Sequence, residues 1–119
     1  LTLKMVRDLM PDDIGISVSY PLPGTSFYER VRDDLGERAN WVDSQDLAML
    51  YRGPFSTAFY RQLHTVVHKD YRSRKTALAL RGALRSPAVL NPGMLRETAA
   101  MLYHRATLPL AQAKLNRLA

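Results

Sequence analysis

The chain of 119 residues contains no cysteine. A disulfide-stabilised secreted scaffold and a thiolate-ligated metal site are therefore both excluded for this chain. It also contains no apolar run of about 18 residues, the length that a membrane-spanning helix requires. No signal-peptide pattern opens the sequence. We therefore expect a chain without a membrane span and a cytoplasmic location.

Acidic residues are scarce in the second part of the chain. Residues 1–50 carry five Lys and Arg against nine Asp and Glu, and residues 51–119 carry twelve against two. The net charge of +6 therefore arises from a basic C-terminal part. Such a part suits nucleic acid, an anionic membrane, an acidic partner, or the acidic first part of the same chain. Its densest run comprises Lys69, Arg72, Arg74, Lys75, Arg81 and Arg85.

This basic run lacks the further features of a nucleic-acid reader. Only positions 74, 81 and 85 share a helix face, and neither a recognition-helix motif nor a motif of stacking aromatic residues accompanies them. A solvated helix exterior that touches an acidic surface is the favoured interpretation. We therefore do not expect nucleic acid as the main partner.

Few side chains are spaced for catalysis or for metal binding. His64 and His68 stand four residues apart and would form half of a metal site, but no third ligand follows at motif spacing and His104 is distant. The carboxylate pairs at 12–13 and 33–34 fall in a turn and near a helix end, where solvation or capping explains them. We predict no catalytic and no metal-binding residue in this chain.

One stretch carries the strongest local pattern. Bulky residues at 14, 16, 18 and 20 alternate with Gly or Ser at 15, 17 and 19, which predicts a strand over 14–20 with one face of small side chains. A helix over 1–10, ended by Met10-Pro11, precedes it. Pro21 ends the strand, and Pro23-Gly24 forms a turn. Ser26 and Glu29 then form a capping box for a helix ending near Gly36.

The rest of the chain is predicted to be helical. A short helix is expected around 45–51, and Ser56 caps a long helix over 57–85 with an apolar stripe at helical spacing. After Asn91-Pro92 we predict a helix over 92–107 with Leu95, Ala99, Leu102, Tyr103 and Ala106 on one face. Pro109 starts or kinks a final short helix that ends near Leu118.

The ordered run DIGISVSYPLPGTSFYERV at residues 13–31 resembles the last barrel strand and following loop of radical S-adenosylmethionine (radical SAM) enzymes. It is most similar to the cobalamin-binding group that includes the anaerobic magnesium-protoporphyrin monomethyl ester cyclases. The preceding LKMVRDLMPDD resembles the helix before that strand, and NWVDSQDLAMLYRGPFSTAFYRQLHTVVHKDYR resembles the tail after the barrel. The resemblance covers residues 1–75.

The resemblance implies that this chain is the C-terminal portion of an iron-sulfur oxidoreductase. The parent would use a 4Fe-4S cluster, S-adenosylmethionine and, in cobalamin-binding members, cobalamin. Its reaction on a small-molecule substrate would be a cyclisation in tetrapyrrole biosynthesis or a methylation. The cluster ligands and any cobalamin domain would lie upstream of Leu1, so the fragment alone would be inactive. The wall of the S-adenosylmethionine pocket would then include Ser17, Ser19, Tyr20, Pro21 and Leu22.

We thus predict a mainly α chain with one β-strand left from the end of a radical SAM partial (β/α) barrel, followed by a helical C-terminal tail. Its parts are the last helix-strand-helix unit at 1–36, a linker with a short helix at 37–53, and a basic helical region at 54–119. The partner would be the remainder of the parent polypeptide, and an isolated chain would self-associate through the unpaired strand. Two alternatives stay open: a core strand with an ordinary turn, and a small basic helical module that binds nucleic acid or a partner protein.

Overall fold

The computed structural model describes residues 1–19, 21–35, 51–85 and 92–119. The described part is mainly helical, as the sequence predicts. Its four helices are α1 (Thr2–Leu9), α2 (Ser26–Leu35), α3 (Thr57–Arg85) and α4 (Pro92–Leu118). The predicted short helix, Gly36 and the cap at Asn91 lie outside the described residues, apart from the end of that helix at Tyr51. The predicted division at 37–53 therefore stays a prediction.

Helix α1 ends where the sequence predicts. The amide of Met10 donates to the carbonyl of Val6 at 3.0 Å, and Met10 itself adopts the left-handed conformation with a φ of 41°. Pro11 follows and has no amide hydrogen with which to continue the helix. The chain therefore leaves α1 through a left-handed residue rather than through the extended conformation that is usual before proline.

The turn before α2 forms at the predicted residues, but the helix cap lies one residue earlier than predicted. The amide of Thr25 donates to the carbonyl of Leu22 at 3.1 Å, and Gly24 has a φ of 83°, which is the geometry of a type II turn with glycine at its third position. The amide of Tyr28 then donates to the Thr25 hydroxyl at 3.2 Å. Thr25, not Ser26, is thus the N-cap, because the turn brings its hydroxyl over the first helical turn.

Helices α3 and α4 form an antiparallel pair. The side-chain amide of Gln62 donates to the carbonyl of Ala111 at 2.8 Å, and Lys69 donates to the hydroxyl of Thr107 at 2.7 Å. Residue numbers therefore increase along α3 while those of the contacting residues decrease along α4. The predicted cap of α3 is confirmed, since the amide of Phe59 donates to the Ser56 hydroxyl at 3.2 Å.

Helix α4 is longer than predicted. No separate final helix starts at Pro109, because α4 continues from Pro92 to Leu118 with this proline inside it. Proline lacks the hydrogen that would bond to the carbonyl of Arg105, four residues earlier. Packing of α4 along α3 offsets this lost hydrogen bond, because tertiary contacts contribute more to helix stability than local propensity does.

The N-terminal segment is held against α3. Val6 of α1 packs with Val67 and Tyr71 of α3 in a small buried cluster. The Tyr71 hydroxyl lies 2.9 Å and 2.7 Å from the carbonyls of Pro11 and Asp12, so it donates into the turn after α1. Apolar burial and a hydrogen bond to the backbone therefore fix the same segment.

Residues 14–19 form no strand in the part of the chain that the structure describes, so the predicted strand is not confirmed there, and Tyr20 lies outside that part. The predicted alternation of faces is nevertheless present. Ile14 and Ile16 are half-buried against the Val6 cluster, whereas Gly15, Ser17 and Ser19 are exposed. A strand requires a neighbouring backbone to accept and donate hydrogen bonds. The described residues supply none, and α3 instead covers the apolar face.

The chain is elongated. Its extents are 59 × 30 × 25 Å and its radius of gyration is 18.6 Å, whereas a compact chain of this length would have a radius of about 13.5 Å. A narrow shape leaves helix faces uncovered. Leu95, Leu102 and Leu110 of α4 are all well exposed. No helix in the described ranges has the length and apolar character needed to cross a membrane.

Candidate functional site

A buried aspartate is the centre of the most polar part of the structure. The Asp70 residue on α3 is 3% exposed. Arg7 of α1 binds its carboxylate with two hydrogen bonds, from Nε to Oδ2 at 2.8 Å and from Nη2 to Oδ1 at 3.1 Å. Arg74, one turn further along α3, donates from its Nε to Oδ2 at 3.0 Å. The bidentate geometry of the Arg7 bonds is the strongest form of an arginine–carboxylate pair.

The Asp70 carboxylate stays ionised in this setting. Burial by itself would raise the pKa of Asp70, but the hydrogen bonds from Arg7 and Arg74, with their charges, outweigh burial and lower that pKa. The hydrogen bond with Asp70 in turn raises the pKa of Arg7 against the opposing effect of burial. The three groups therefore form a charged unit that ties α1 to α3.

The charged unit lies in the wall of a cleft of about 370 Å³ between α1, α3 and α4. Four arginines line this arginine cleft: Arg7, Arg74, Arg81 and Arg105. Among the described lining residues Asp70 is the one carboxylate, so they have a formal charge of +3. Within the described ranges, Arg81 and Arg105 form no ion pair with an acidic side chain. The remaining lining is apolar for the most part and includes Met10, Leu78 and Leu108.

The predicted basic run does not form one continuous surface. Lys69 donates to Thr107 and lies 4.6 Å from the centre of the Tyr103 ring, and Lys75 donates to the carbonyl of Asp12. Both lysines therefore stabilise internal contacts, as Arg74 does. Arg74 and Arg81, which were predicted to share a face, both line the cleft, and the side chain of Arg85 lies outside the described part.

Three residues of the cleft are absent from the sequence-based prediction. Arg7 lies on α1 and Arg105 lies on α4, and no local sequence pattern connects either arginine with α3. Asp70 had a detectable signal: it is the only acidic residue between Asp46 and Glu97, and an arginine follows it at the helical spacing of four. A lone acid in a basic helix is often paired when it is buried.

His64 and His68 lie close together as a tilted pair of rings, and no third metal ligand joins them in the described part of the chain. The rings of His64 and His68 lie 4.1 Å apart between centres. Nε2 of His68 and Nδ1 of His104 are buried and have no hydrogen-bond partner within the described ranges. Among the residues described, no three His, Cys, Asp or Glu side chains are grouped to hold a metal ion. The half-site therefore gains no third ligand in this part of the chain.

Burial and neighbouring charge keep two of these imidazoles neutral. Burial lowers the pKa of His68, as do His64 and Arg72, while Asp13 opposes them. Burial also lowers the pKa of His104, with smaller contributions from Lys69 and Arg72. Protonation of either ring would introduce a charge into a basic, partly buried setting, so acid is expected to disfavour this packing.

The five residues predicted for a S-adenosylmethionine pocket differ in accessibility. Ser17, Ser19 and Leu22 are exposed, Pro21 is fully buried, and Tyr20 lies outside the described residues. The three exposed side chains are therefore open to a ligand or to another backbone. A 4Fe-4S cluster does not fit this chain, because the chain has no cysteine to supply thiolate ligands.

No protein family, curated protein or solved structure matches this chain. The resemblance of residues 1–75 to radical SAM enzymes thus depends on the quoted residues alone. The function has to be argued from them and from the geometry described above.

Proposed function

We propose that this chain is the C-terminal portion of a radical SAM iron-sulfur oxidoreductase, similar to the magnesium-protoporphyrin monomethyl ester cyclases. Residues 14–20 would close the barrel of the parent enzyme, and α3 and α4 would form its helical tail. One observation carries the proposal: residues 14–19 alternate in burial, with Gly15, Ser17 and Ser19 exposed, and they have no strand partner among the described residues. This is the arrangement expected of a strand whose neighbours belong to another part of a polypeptide.

The uncovered side of α4 supports the same proposal. The exposed residues Leu95, Leu102 and Leu110, with Ala99, Ala106 and Ala113, follow one another at spacings of three and four. At 100° per residue this α4 stripe lies opposite the buried residues Met101 and Ala111. A helix that is apolar on both sides is normally buried on both sides. The remainder of the parent polypeptide would cover the second side.

In this proposal the chain supplies structure and a pocket wall rather than reacting groups. The parent would cleave S-adenosylmethionine reductively and use the resulting radical for cyclisation or methylation of its substrate. The cluster ligands and any cobalamin would come from other parts of that polypeptide, because this chain has no cysteine. Ser17 and Ser19 would contribute small side chains and backbone beside the bound S-adenosylmethionine.

The reading frame upstream of the codon for Leu1 gives the first test. A CxxxCxxC motif about a barrel's length upstream is expected, and a start codon just before Leu1 without such a motif would overturn the proposal. In the full-length protein, Ser19→Val should raise the KM for S-adenosylmethionine about tenfold, equivalent to about 1.4 kcal/mol. Ser26→Val on α2 is the matched control and should leave it unchanged. Equal effects of the two variants would contradict the assignment of the pocket wall.

A second candidate is a helical module that binds a partner protein, and the exposed α4 stripe favours it. Nucleic acid is a weaker candidate, because Lys69, Arg74 and Lys75 of the basic run are used in internal contacts. Binding of a random DNA duplex that weakens steeply with salt would support the nucleic-acid alternative. Absence of binding at low salt would exclude it.

A further inference from the structure

The arginine cleft has positive charge that the described part of the chain does not neutralise. Arg7 and Arg74 both donate to Asp70, but Arg74 does so through its Nε alone. Within the described ranges, its terminal nitrogens thus remain for another acceptor. Arg81 and Arg105, on α3 and α4, line the same space without an acidic partner in the described ranges. Placing four guanidinium groups around one carboxylate costs electrostatic free energy unless an anion or water compensates it.

We propose that this cleft binds a small organic oxyanion, a carboxylate or phosphate group carried on an apolar body. Arg81 and Arg105 bind the anionic group, with the terminal nitrogens of Arg74 beside them. Met10, Leu78 and Leu108 contact the apolar body. This inference does not depend on a radical SAM parent, because all of the residues that it uses belong to the chain itself.

Three properties of the cleft favour this class of ligand. Its volume of about 370 Å³ falls in the usual range of small-molecule sites, which is about 300–1,000 Å³. The planar fork of a guanidinium group matches both carboxylate and phosphate oxygens. The bond between Asp70 and Arg74 fixes that arginine in advance, which lowers the conformational entropy lost on binding.

The same cleft is poorly suited to nucleic acid. Its lining contains no aromatic side chain on which a base would stack. The cleft is also small, at about 370 Å³, whereas a nucleic-acid site follows several nucleotides of phosphate backbone. A compact ligand with a single anionic end fits it better than a polymer does.

Calorimetric titration of the 119-residue chain tests the proposal with four probes. Phenyl phosphate and benzoate carry an anion on an apolar ring, inorganic phosphate carries the anion alone, and benzyl alcohol carries the ring alone. We expect one or both ring anions to bind, inorganic phosphate to bind more weakly, and benzyl alcohol not to bind. The stronger of phenyl phosphate and benzoate identifies the anionic group. No binding of either ring anion, or equal binding of benzyl alcohol, would overturn the proposal.

Single variants then locate the site. Arg81→Gln and Arg105→Gln should each weaken binding about tenfold or more, as expected for a lost charged hydrogen bond. Arg117→Gln, also on α4 but outside the cleft, is the matched control and should have no effect. Circular dichroism should show unchanged helix content in all three variants. If Arg117→Gln weakens binding as much as the cleft variants, or if a DNA duplex binds more tightly than the ring anions, the specific cleft is refuted.

Discussion

Replacing Asp70 with asparagine tests how the N-terminal segment is held. The substitution keeps the size of the side chain but removes its charge and turns one acceptor oxygen into a donor amide. In the native chain, Arg7 contacts both carboxylate oxygens of Asp70, at 2.8 Å and 3.1 Å. In the variant, at least one guanidinium hydrogen bond of Arg7 or Arg74 would therefore be lost or would face another donor.

The magnitude follows from burial of the carboxylate and exposure of its partners. Breaking a buried ion pair by removing one member costs about 3–5 kcal/mol. The Asp70 side chain is 4% exposed, but those of Arg7 and Arg74 are 36% and 47% exposed, so water will solvate the arginines in part. We therefore expect Asp70→Asn to lower the free energy of unfolding by about 2–4 kcal/mol. That is a large part of the roughly 5–15 kcal/mol typical of a domain.

Urea unfolding followed by circular dichroism measures this loss. Asp8→Asn is the matched control on α1, because the Asp8 carboxylate is exposed and, among the residues described, pairs only with Lys4. Exposed pairs are worth at most about 1 kcal/mol. The double variant Arg7→Gln/Asp70→Asn should be less destabilised than the two single variants predict together, because both remove one interaction. A loss below about 1 kcal/mol for Asp70→Asn would refute the argument, since a buried carboxylate with three donors cannot be that dispensable.

The dependence of stability on acidic pH gives an independent test of Asp70. Because the pKa of Asp70 is lowered in the folded chain, its stabilisation is present above the unfolded value of 3.8 and is lost as the pH falls through the folded value. The native chain should therefore lose stability below about pH 4. In Asp70→Asn this part of the loss should be absent, and an unchanged acid profile would contradict the assignment.

Three further outcomes are expected. Tyr71→Phe should lower the free energy of unfolding in urea by about 1 kcal/mol, because the hydroxyl bonds to the backbone after α1 are lost; no change would contradict this contact. The pKa values of His68 and His104 are lowered from 6.5, so stability should be level above that pH and fall below it in thermal melts, and His104→Gln should reduce the fall. Leu102→Lys should leave stability within about 0.5 kcal/mol but reduce self-association in sedimentation, whereas strong destabilisation would show that this leucine is not exposed.

The helices were predictable because their signals are local. The Ser56 cap, the proline after Met10 and the glycine of the type II turn each act within four residues. The sequence therefore predicts the ends of α1 and α3 and the turn before α2. At Pro109 it leaves open a new helix or a kink, and packing of α4 against α3 keeps the helix continuous there.

The candidate site was less predictable because its contacts are distant in sequence. Arg7 and Asp70 are 63 positions apart, and Arg105 joins them only when α4 folds back along α3. The strand predicted at 14–19 is not confirmed, for a related reason. Alternation describes which side chains face the protein, and that part is correct, but hydrogen bonding between strands depends on a neighbour that this stretch cannot specify by itself.

Two surfaces of the chain have the properties of interfaces that lack their partner. The segment at 14–19 has exposed Ser17 and Ser19 and no strand partner among the described residues, and the α4 stripe presents apolar side chains on the side away from α3. Exposed apolar patches and unpaired edges both favour association. A larger polypeptide can cover both at once with a strand edge and an apolar layer. Self-association of identical chains covers them only if the segment at 14–19 pairs with its own copy and the α4 stripe packs against its own copy. For that reason we favour a helical tail joined to a barrel over an independent module.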